Sequence, residues 1–396
     1  WEQRKLGELV DRVVRKNINN ESTLPLTISA QYGLVDQITY FNNRVASRDV
    51  SNYYLVLNGE FAYNKSTSDG YPFGAVKRLD LYEKGVLSTL YIVFAPKKEQ
   101  QIDSDYLTVF FDTDRWHKGV AERAAEGARN HGLLNISAED FFDIDLSVPK
   151  DIVEQKQIGA FIRQLDDLIT LHQRKFEKLT NVKKSMLEKM FPQNGSSYPE
   201  IRFKGFTDPW EQRKLGDIAD IVGGGTPSTG NQSYWDGDID WYAPAEIADQ
   251  IYANSSQKKI TGLGYENSSA KMLPPGTVLF TSRAGIGKTA ILTRKGCTNQ
   301  GFQSIVPHRG ELDSYFIFSR TEELKRYGEL VGAGSTFVEV SGKQMAVMEL
   351  MMPPTMREQQ TIGGFFQQLD HLITLHQREL EKLQNIKKSM LEKMFV

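Results

Sequence analysis

The sequence predicts an α+β protein in which two α/β domains, in a pseudo-twofold arrangement, are separated by two long antiparallel coiled-coil helices. Two repeats predict this. Residues 158–191 return at 362–395 with 26 of 34 positions identical, and WEQRKLGE at 1–8 returns as WEQRKLGD at 210–217. The offsets are similar, 362 − 158 = 204 and 210 − 1 = 209. The chain is therefore a duplication that runs domain, helix, domain, helix.

Each long repeat predicts one amphipathic helix. Neither copy contains proline, and apolar residues recur every seven positions, as at Ile158, Leu165 and Leu179. Such helices pack on each other within one chain, form a homodimeric zipper, or pack on a partner elsewhere, and two matched copies in one chain favour the first arrangement. The residues expected to form the seam and to mark the partner-docking helices are Leu165, Leu168, His172, Leu179, Leu369, Leu372, His376 and Leu383.

Proline and glycine separate these segments. Pro149 precedes the first helix, and Pro192 and Gly195 predict an extended, exposed linker after it. The predicted segments are a first domain at 1–149, a spacer helix at 150–192, a linker at 193–209, a second domain at 210–353 and a spacer helix at 354–396. A lead-in at 198–209 precedes the second domain, and we expect the natural chain to have a similar lead-in upstream of Trp1.

Local patterns place further elements in the first domain. The expected elements are strands at 27–32, 53–57, 90–94 and 141–148, a loop presenting side chains at 58–74, a short helix at 115–125 and a turn at 127–132. The second domain keeps the spacing of the first, but its loops differ, and 223–241 has no close match in the first half. Repeated scaffolds with different loops favour two different binding surfaces, although drift of the domain walls gives the same pattern.

The residues form no catalytic pattern that we recognise. Segment 284–290 (AGIGKTA) is similar to a phosphate-binding loop, but that motif needs glycine where the sequence has Ser282. The six histidines have no metal-ligand spacing, so no metal site is expected. The single cysteine, Cys297, excludes an internal disulfide, is expected to be a buried apolar residue and fits a reducing cytoplasm. The sequence therefore predicts a binding protein rather than an enzyme.

Charge and polarity narrow the kind of binding. The net charge of −2 argues against holding nucleic acid by bulk positive charge alone, and no apolar run approaches the ~20 residues of a membrane span. Polar loops with Tyr, Trp, Asn, Ser and Arg nevertheless suit base edges and phosphates. The expected DNA-contacting residues of the first domain are Tyr63, Asn64, Lys65, Ser66, Arg78, Arg129 and Asn130. Those of the second domain are Thr226, Ser228, Trp235, Ser282, Arg283, Lys288, Ser335 and Thr336.

Several motifs together carry a family resemblance. They are GGTPST with YW and IDW within 224–241, TSRAGIGKTAI at 281–291, the paired WEQRKLG segments and the paired long helices. Over essentially the whole chain they resemble the specificity subunit of a Type I restriction–modification enzyme.

The resemblance implies a division of labour. Two target recognition domains would each read one half of a split site in double-stranded DNA, and the helices would set the gap and seat two methyltransferase subunits. Restriction and translocase subunits would join that core. The chain itself would be non-catalytic and without a cofactor, while S-adenosylmethionine, ATP and Mg²⁺ would serve its partners. A coiled-coil protein–protein adaptor without DNA specificity is the alternative.

Overall fold

The structure is a computed structural model that describes residues 1–29, 32–68, 70–124, 132, 134–248, 250–283, 285–333 and 339–395. The chain divides into two compact units. Unit 1 comprises Trp1–Gln173 with Arg378–Val396, and unit 2 comprises Arg174–Gln377. Each unit therefore holds one globular domain, part of the first long helix and part of the second.

Short strands and helices build the globular part of unit 1. The strands are β1 (Glu2–Lys5), β2 (Val10–Arg12), β3 (Leu26–Ser29), β4 (Gly33–Asp36), β5 (Tyr54–Leu57), β6 (Phe61–Asn64), β7 (Ala75–Arg78), β8 (Lys84–Leu87), β9 (Ile92–Pro96) and β10 (Asp145–Val148). The helices are α1 (Leu6–Leu9), α2 (Gln37–Phe41), α3 (Ser104–Phe111), α4 (His117–Arg123) and α5 (Ala138–Phe142). Strands β2-β9-β6-β7 form an antiparallel sheet, and β1–β10, β3–β4 and β5–β8 form antiparallel pairs.

The two inner strands of the four-stranded sheet, β6 and β9, are buried on both faces. Successive residues of a strand point to opposite faces. Phe61 and Tyr63 of β6 therefore join one core cluster, while Ala62 between them joins another. Phe94 of β9 stacks on Phe61 with ring centroids 5.3 Å apart. This pattern explains why β6 and β9 are mostly apolar and lack the polar alternation of half-exposed strands.

Unit 2 repeats the scaffold and changes the sheets. Its strands are β11 (Glu211–Lys214), β12 (Ala219–Gly223), β13 (Trp235–Tyr242), β14 (Tyr252–Ala253), β15 (Lys258–Ile260), β16 (Val278–Phe280), β17 (Thr289–Leu292), β18 (Gly296–Thr298), β19 (Gln303–Pro307) and β20 (Glu349–Met352). Its short helices are α7 (Leu215–Ile218), α8 (Gly262–Glu266), α9 (Ser314–Ser319), α10 (Thr321–Gly332) and α11 (Gly342–Ala346). The sheets have the orders β12-β19-β16-β17-β14 and β15-β13-β18, with parallel pairing at β14–β17 and β13–β18.

The repeated scaffold is visible in matched details of the two units. Strand β1 pairs with β10 as β11 pairs with β20, both antiparallel. Ser137 and Ser341 each cap a helix, accepting hydrogen bonds from the amides of Asp140 and Gln344. The two units therefore share these framework strands and capped helices, as the duplication predicted, whereas the sheets between them differ.

The two long helices are α6 (Ile152–Lys189) and α12 (Met356–Met394). Within unit 1, Lys387 of α12 lies 2.7 Å from Asp166 of α6, and within unit 2, Lys183 of α6 lies 2.5 Å from Asp370 of α12. In unit 1, Ile158 of α6 also lines a pocket with Met394 of α12, and in unit 2, Phe191 just after α6 stacks on Phe366 of α12. Within each unit the partner residue on α12 lies earlier in the chain as the α6 residue lies later, so the two helix segments run antiparallel, as the sequence predicted.

The seam of the helix pair is narrower than predicted. Leu165 and Leu369 are buried, and Leu179 and Leu383 pack against the cores of their units. Leu168 and Leu372 are 43% and 40% exposed, so their predicted burial is wrong. The second row of seam residues is formed by Ile162 and by the residues that follow it at seven-residue spacing, such as Ile169, and Leu168 lies outside this row. His172 and His376 are partly buried.

Three local predictions need correction. The loop expected at 58–74 contains the buried strand β6, and the strand expected at 141–148 is the end of α5 followed by β10. The linker is not fully exposed, because Ile201 and Phe203 pack against the core of unit 2. The predicted turn at 127–132 falls mostly outside the described residues. Among the described residues, no helix is long and apolar enough to cross a membrane.

Candidate nucleic-acid interface

The basic turn between β16 and β17 is built around Thr281. Its hydroxyl donates to the carbonyl of Gly285 (2.7 Å) and accepts from the amide of Lys288 (2.9 Å). Gly287 has a φ of +94°, and a Cβ there would lie 2.4 Å from a side-chain atom of Lys325, so only glycine fits. The turn holds the Lys288 side chain exposed at its tip. An exposed lysine on a rigid turn is suited to a backbone phosphate.

Arg283, in the same turn, has an acidic neighbour. Its Nε lies 2.9 Å from a carboxylate oxygen of Glu339, and both side chains are partly exposed to solvent. A surface ion pair of this kind is weak, and a base edge or a phosphate can displace its carboxylate. Glu339 therefore orients the guanidinium while leaving it accessible.

Ser282 does not reach the surface. Its residue is 0% exposed, and its Oγ has no hydrogen-bond partner among the described residues. The prediction that Ser282 presents its hydroxyl to DNA is therefore wrong for this conformation. Ser282 follows the equally buried Thr281, and its amide donates to the carbonyl of Gly301 at 2.8 Å, so the neighbouring turn encloses the residue.

The glycine-rich segment after β12 packs tightly before it opens outward. A Cβ on Gly224 would lie 2.1 Å from the carbonyl oxygen of Asn299, so the backbone approaches too closely for any side chain. Beyond it Ser228 is exposed, and its carbonyl accepts from Trp235 Nε1 at 3.2 Å. Trp235 meets Trp241 edge to face with ring centroids 5.1 Å apart. Ser228 and Trp235 thus lie on one supported loop.

Gln300, which the sequence analysis did not predict, links the glycine-rich segment to the basic turn. Gln300 is exposed in the turn between β18 and β19, and its Oε1 accepts from the hydroxyl of Thr226 at 2.5 Å. Its neighbour Gly301 accepts from the amide of Ser282 at 2.8 Å. Thr226, Gln300 and the basic turn therefore lie side by side. A glutamine amide here matches the edge of adenine as well as Arg283 matches guanine.

In unit 1, two of the predicted DNA-contacting residues are buried, and the first is Tyr63. Tyr63 is 0% exposed, donates its hydroxyl to the carbonyl of Phe73 (2.9 Å) and stacks on Phe141 with centroids 4.3 Å apart. Burial raises the pKa of its hydroxyl above the ordinary value. The prediction that Tyr63 faces DNA is wrong, because its backbone belongs to the buried strand β6 and not to a loop.

Arg78 is likewise committed to the interior. It is 9% exposed and pairs with Asp80 (2.7 Å), Asp105 (2.8 Å) and the hydroxyl of Ser104 (2.8 Å). Burial opposes ionisation of Asp105, but hydrogen bonds from Arg78 and Arg163 hold the pKa of that carboxyl below its ordinary value. The predicted DNA contact by Arg78 is therefore wrong, since its guanidinium is buried and already paired with two carboxylates and a hydroxyl.

Three further candidates of unit 1 are consecutive residues at the end of β6 and just after it. Ser66 is exposed, Asn64 and Lys65 are half-buried, and Asn64 Oδ1 accepts from the amide of Ser66 at 3.0 Å. The amide of Leu134 donates to the carbonyl of Lys65, so this turn lies against the start of the segment at 134. The other candidates lie outside the described residues; they are Arg129 and Asn130 in unit 1, and Ser335 and Thr336 in unit 2.

Buried polar groups stiffen the sheet that carries Trp241. Asp240 is 3% exposed and pairs with Arg294 (2.6 Å) and Lys259 (3.2 Å), while Ser256 donates to it through both amide and hydroxyl. Burial alone would raise the pKa of Asp240, but these hydrogen bonds and charges hold it below the ordinary value. Cys297, as predicted, is buried, and burial raises the pKa of its thiol to about 11.

The long helices present surfaces that repeat from one copy to the other. Exposed leucines occur at Leu168 and Leu171 of α6 and at the matching Leu372 and Leu375 of α12. Each helix also lines a groove, of about 520 Å³ on α6 and 540 Å³ on α12. Six of the seven positions that line the grooves are identical in the two copies. The pairs are Arg174/Arg378, Glu177/Glu381, Lys178/Lys382, Asn181/Asn385, Ser185/Ser389 and Met186/Met390, with Val182/Ile386 as the difference.

Comparison with known proteins shows the family to which the chain belongs. Residues 1–181 and 207–385 each match the sequence family described as the Type I restriction modification DNA specificity domain. Because the two matches cover most of the 396 residues, the chain belongs to that family and contains its domain twice. The chain is therefore a DNA-sequence-recognition protein of the Type I class, and the comparisons give the adaptor alternative no support.

Individual relatives agree with the family. The MjaIX specificity subunit from Methanocaldococcus jannaschii is 34% identical over 190 residues, which span 47% of this chain and 44% of that subunit. The putative MjaX specificity subunit of the same organism is 22% identical over 409 residues, spanning 99% of this chain and 92% of its own. The solved S subunit of a Type-I restriction-modification system from M. genitalium shares the fold, with a TM-score of 0.61 at 12% identity over 100% of this chain and 96% of that one. The predicted family and fold class are confirmed.

Proposed function

We propose that this chain is the specificity subunit of a Type I restriction–modification complex and reads a bipartite DNA site, one half with each domain. The observation that carries the proposal is the contrast between the copies. The framework strands and helices of the two units match, whereas the sheets and loops between them differ. One framework carrying two different loop sets suits two different half-sites.

The second half-site would be read by the cluster around the basic turn. Lys288 would contact a phosphate, and Arg283 and Gln300 would contact base edges, since the three side chains are exposed on adjoining turns. In unit 1 the turn at Asn64, Lys65 and Ser66 would serve the first half-site. Catalysis would then belong to other subunits of the complex.

The helices would dock two copies of one partner, a methyltransferase subunit. Their surfaces repeat, with an exposed leucine pair at Leu168 and Leu171 and an identical pair at Leu372 and Leu375. A leucine pair exposed at positions i and i+3 is an apolar anchor that a partner would bury. Restriction subunits would join this core, and S-adenosylmethionine, ATP and Mg²⁺ would be bound by the partners.

Native mass spectrometry of the chain with its methyltransferase tests the docking. We expect two methyltransferases per chain, and one after Leu168→Asp with Leu171→Asp, because a charge replaces the apolar anchor on one copy only. The matching pair of changes at Leu372 and Leu375 should also leave one. Leu263→Asp, at a leucine that is 49% exposed in the second domain, is the matched control and should leave two. Two partners retained after either helix change would refute the docking surface.

A further inference from the structure

The sheets of the two units differ as wholes, but four strands of each have the same order. They are β2-β9-β6-β7 in unit 1 and β12-β19-β16-β17 in unit 2. In each unit a row of paired residues crosses all four strands. The two rows, each in strand order, are Arg12, Phe94, Phe61 and Arg78 in unit 1, and Ile221, Ile305, Val278 and Ile291 in unit 2. Because the registers match, each position of one row has a counterpart in the other.

The turn ahead of β9 in unit 1 corresponds to the turn that carries Gln300 in unit 2. Pro96 ends β9 and pairs with the first residue of β2, just as Pro307 ends β19 and pairs with the first residue of β12. Thr89 lies seven residues before Pro96, and Gln300 lies seven residues before Pro307. Both Thr89 and Gln300 are exposed. Thr89 is therefore the counterpart of Gln300.

Hydrogen bonds show independently that the two turns are alike. The amide of Leu90 donates to Ser88 Oγ at 3.4 Å, and the amide of Gly301 donates to Asn299 Oδ1 at 2.8 Å. In each turn a side chain thus accepts from the amide two residues later. The residue between the donor and the acceptor is held at the tip of the turn, and in unit 1 this residue is Thr89.

The turn at residues 88–91 lies at the end of the sheet that carries the other candidates of unit 1. Tyr63, near the end of β6, pairs with Ile92, the first residue of β9. The segment that follows β6 and the segment that precedes β9 therefore leave the sheet at the same end, from neighbouring strands about 4.8 Å apart. The turn thus lies beside residues 64–66, as the Gln300 turn lies beside the basic turn.

The side chains at the tip of the unit 1 turn present methyl groups to solvent. Leu90 is 63% exposed. Its counterpart is Gly301, where a Cβ would lie 2.8 Å from a side-chain atom of Pro244, so unit 2 has no room for a side chain at this position. The exposed methyl groups of Thr89 and Leu90 match the C5 methyl group of thymine in the major groove, whereas the amide of Gln300 matches the edge of adenine.

We propose that Thr89 and Leu90 determine one position of the first half-site by contacting the methyl group of a thymine in the major groove. This inference rests on the function proposed above and adds a base and two residues to it. Because residues 88–91 (STLY) carry no charged side chain, the turn would contribute to sequence preference and not to the salt dependence of binding.

Methylome sequencing tests the inference in cells that express the chain with its methyltransferase. In the variant Thr89→Ala with Leu90→Ala, we expect one thymine of the half-site read by the first domain to become degenerate, while the other half and the gap stay unaltered. Gln300→Ala is the matched control and should make one position of the other half degenerate instead. The half that each variant retains shows that the chain is folded and assembled.

Fluorescence anisotropy of the assembled complex on DNA gives a second measurement. Replacing the assigned thymine by deoxyuridine removes only its methyl group and should weaken binding by the native chain about fourfold, the factor that one buried methyl group contributes. The same replacement should leave binding by the double variant unchanged, and the slope of log affinity against log salt should equal that of the native chain. A two-part motif that the double variant leaves intact, or relaxation at a pair other than thymine–adenine, overturns this inference but not the proposed function. The absence of a two-part motif with the native chain overturns both.

Discussion

The seam of the long helices makes a sharp prediction, because each copy carries two leucines three residues apart in opposite environments. Leu369 is 8% exposed and packs with Ile362 and Phe366 in the core of unit 2, whereas Leu372 is 40% exposed. Truncating a buried leucine to alanine removes about 2–5 kcal/mol of stability. At an exposed helix position the same change stays within about 0.5 kcal/mol, since alanine is also the better helix former.

These energies translate into a measurable difference between two variants. For a cooperative unit of about 200 residues, 1 kcal/mol shifts the thermal midpoint by roughly 2–4 °C, so Leu369→Ala should lower it by roughly 4–20 °C. Leu372→Ala should shift it by no more than about 2 °C on the same scale. Circular dichroism at 222 nm during heating and urea titration of both variants would measure the difference. Leu165→Ala and Leu168→Ala repeat the comparison in unit 1.

The comparison has a clear failing outcome. Equal destabilisation by Leu369→Ala and Leu372→Ala would mean that the helices pack through a different face from the one described. Loss of stability by Leu372→Ala alone would mean that the register is shifted. If Leu372 instead docks a partner, as proposed above, its alanine variant should weaken methyltransferase binding while leaving the thermal midpoint unchanged.

Three further predictions concern unit 2. Lys288→Ala should weaken DNA binding by the assembled complex equally for all sequences and lower the slope of log affinity against log salt by about one phosphate contact, measured by fluorescence anisotropy. Arg283→Ala should cost about 1–3 kcal/mol on the specific site and relax one position of one half-site, whereas Glu339→Gln should leave the preferred base unchanged. The pKa of Asp240 is lower in the folded protein than in the unfolded chain, so its contribution to stability is fully present above the unfolded pKa of about 3.9 and is lost as the pH falls through the folded value. Asp240→Asn should therefore remove this part of the loss of stability below pH 4, measured by urea titration at several pH values. An unchanged pH profile of stability in the variant would contradict this role of Asp240.

The helix pair and the duplication were predictable because repetition is written directly in the sequence. The identical positions of the long repeats and the seven-residue spacing predicted two helices, and within unit 1 the pairs Ile158–Met394 and Asp166–Lys387 confirm that they run antiparallel. The seam itself was only half predicted. Leu168 and Ile169 are adjacent apolar residues, and the seven-residue spacing alone does not show which of the two residues the other helix covers.

The recognition surface was harder to predict because burial depends on contacts distant in sequence. Tyr63 and Arg78 are polar residues that the core accepts, one through the carbonyl of Phe73 and the other through the carboxylates of Asp80 and Asp105. No local pattern identifies such partners. Gln300 was missed for the converse reason: it gains its place beside Thr226 only when β18 and β19 bring a separate turn to the same edge.

The central claim is that each domain reads its own half of one DNA site. Methylome sequencing of cells that express the chain with its methyltransferase tests it most directly, once with the native chain and once with residues 1–148 replaced by the first domain of another family member. The account predicts a motif of two short half-sites with a fixed gap, in which the replacement changes one half and leaves the other half and the gap unaltered. A change in both halves, or methylation that does not depend on this chain, would contradict it.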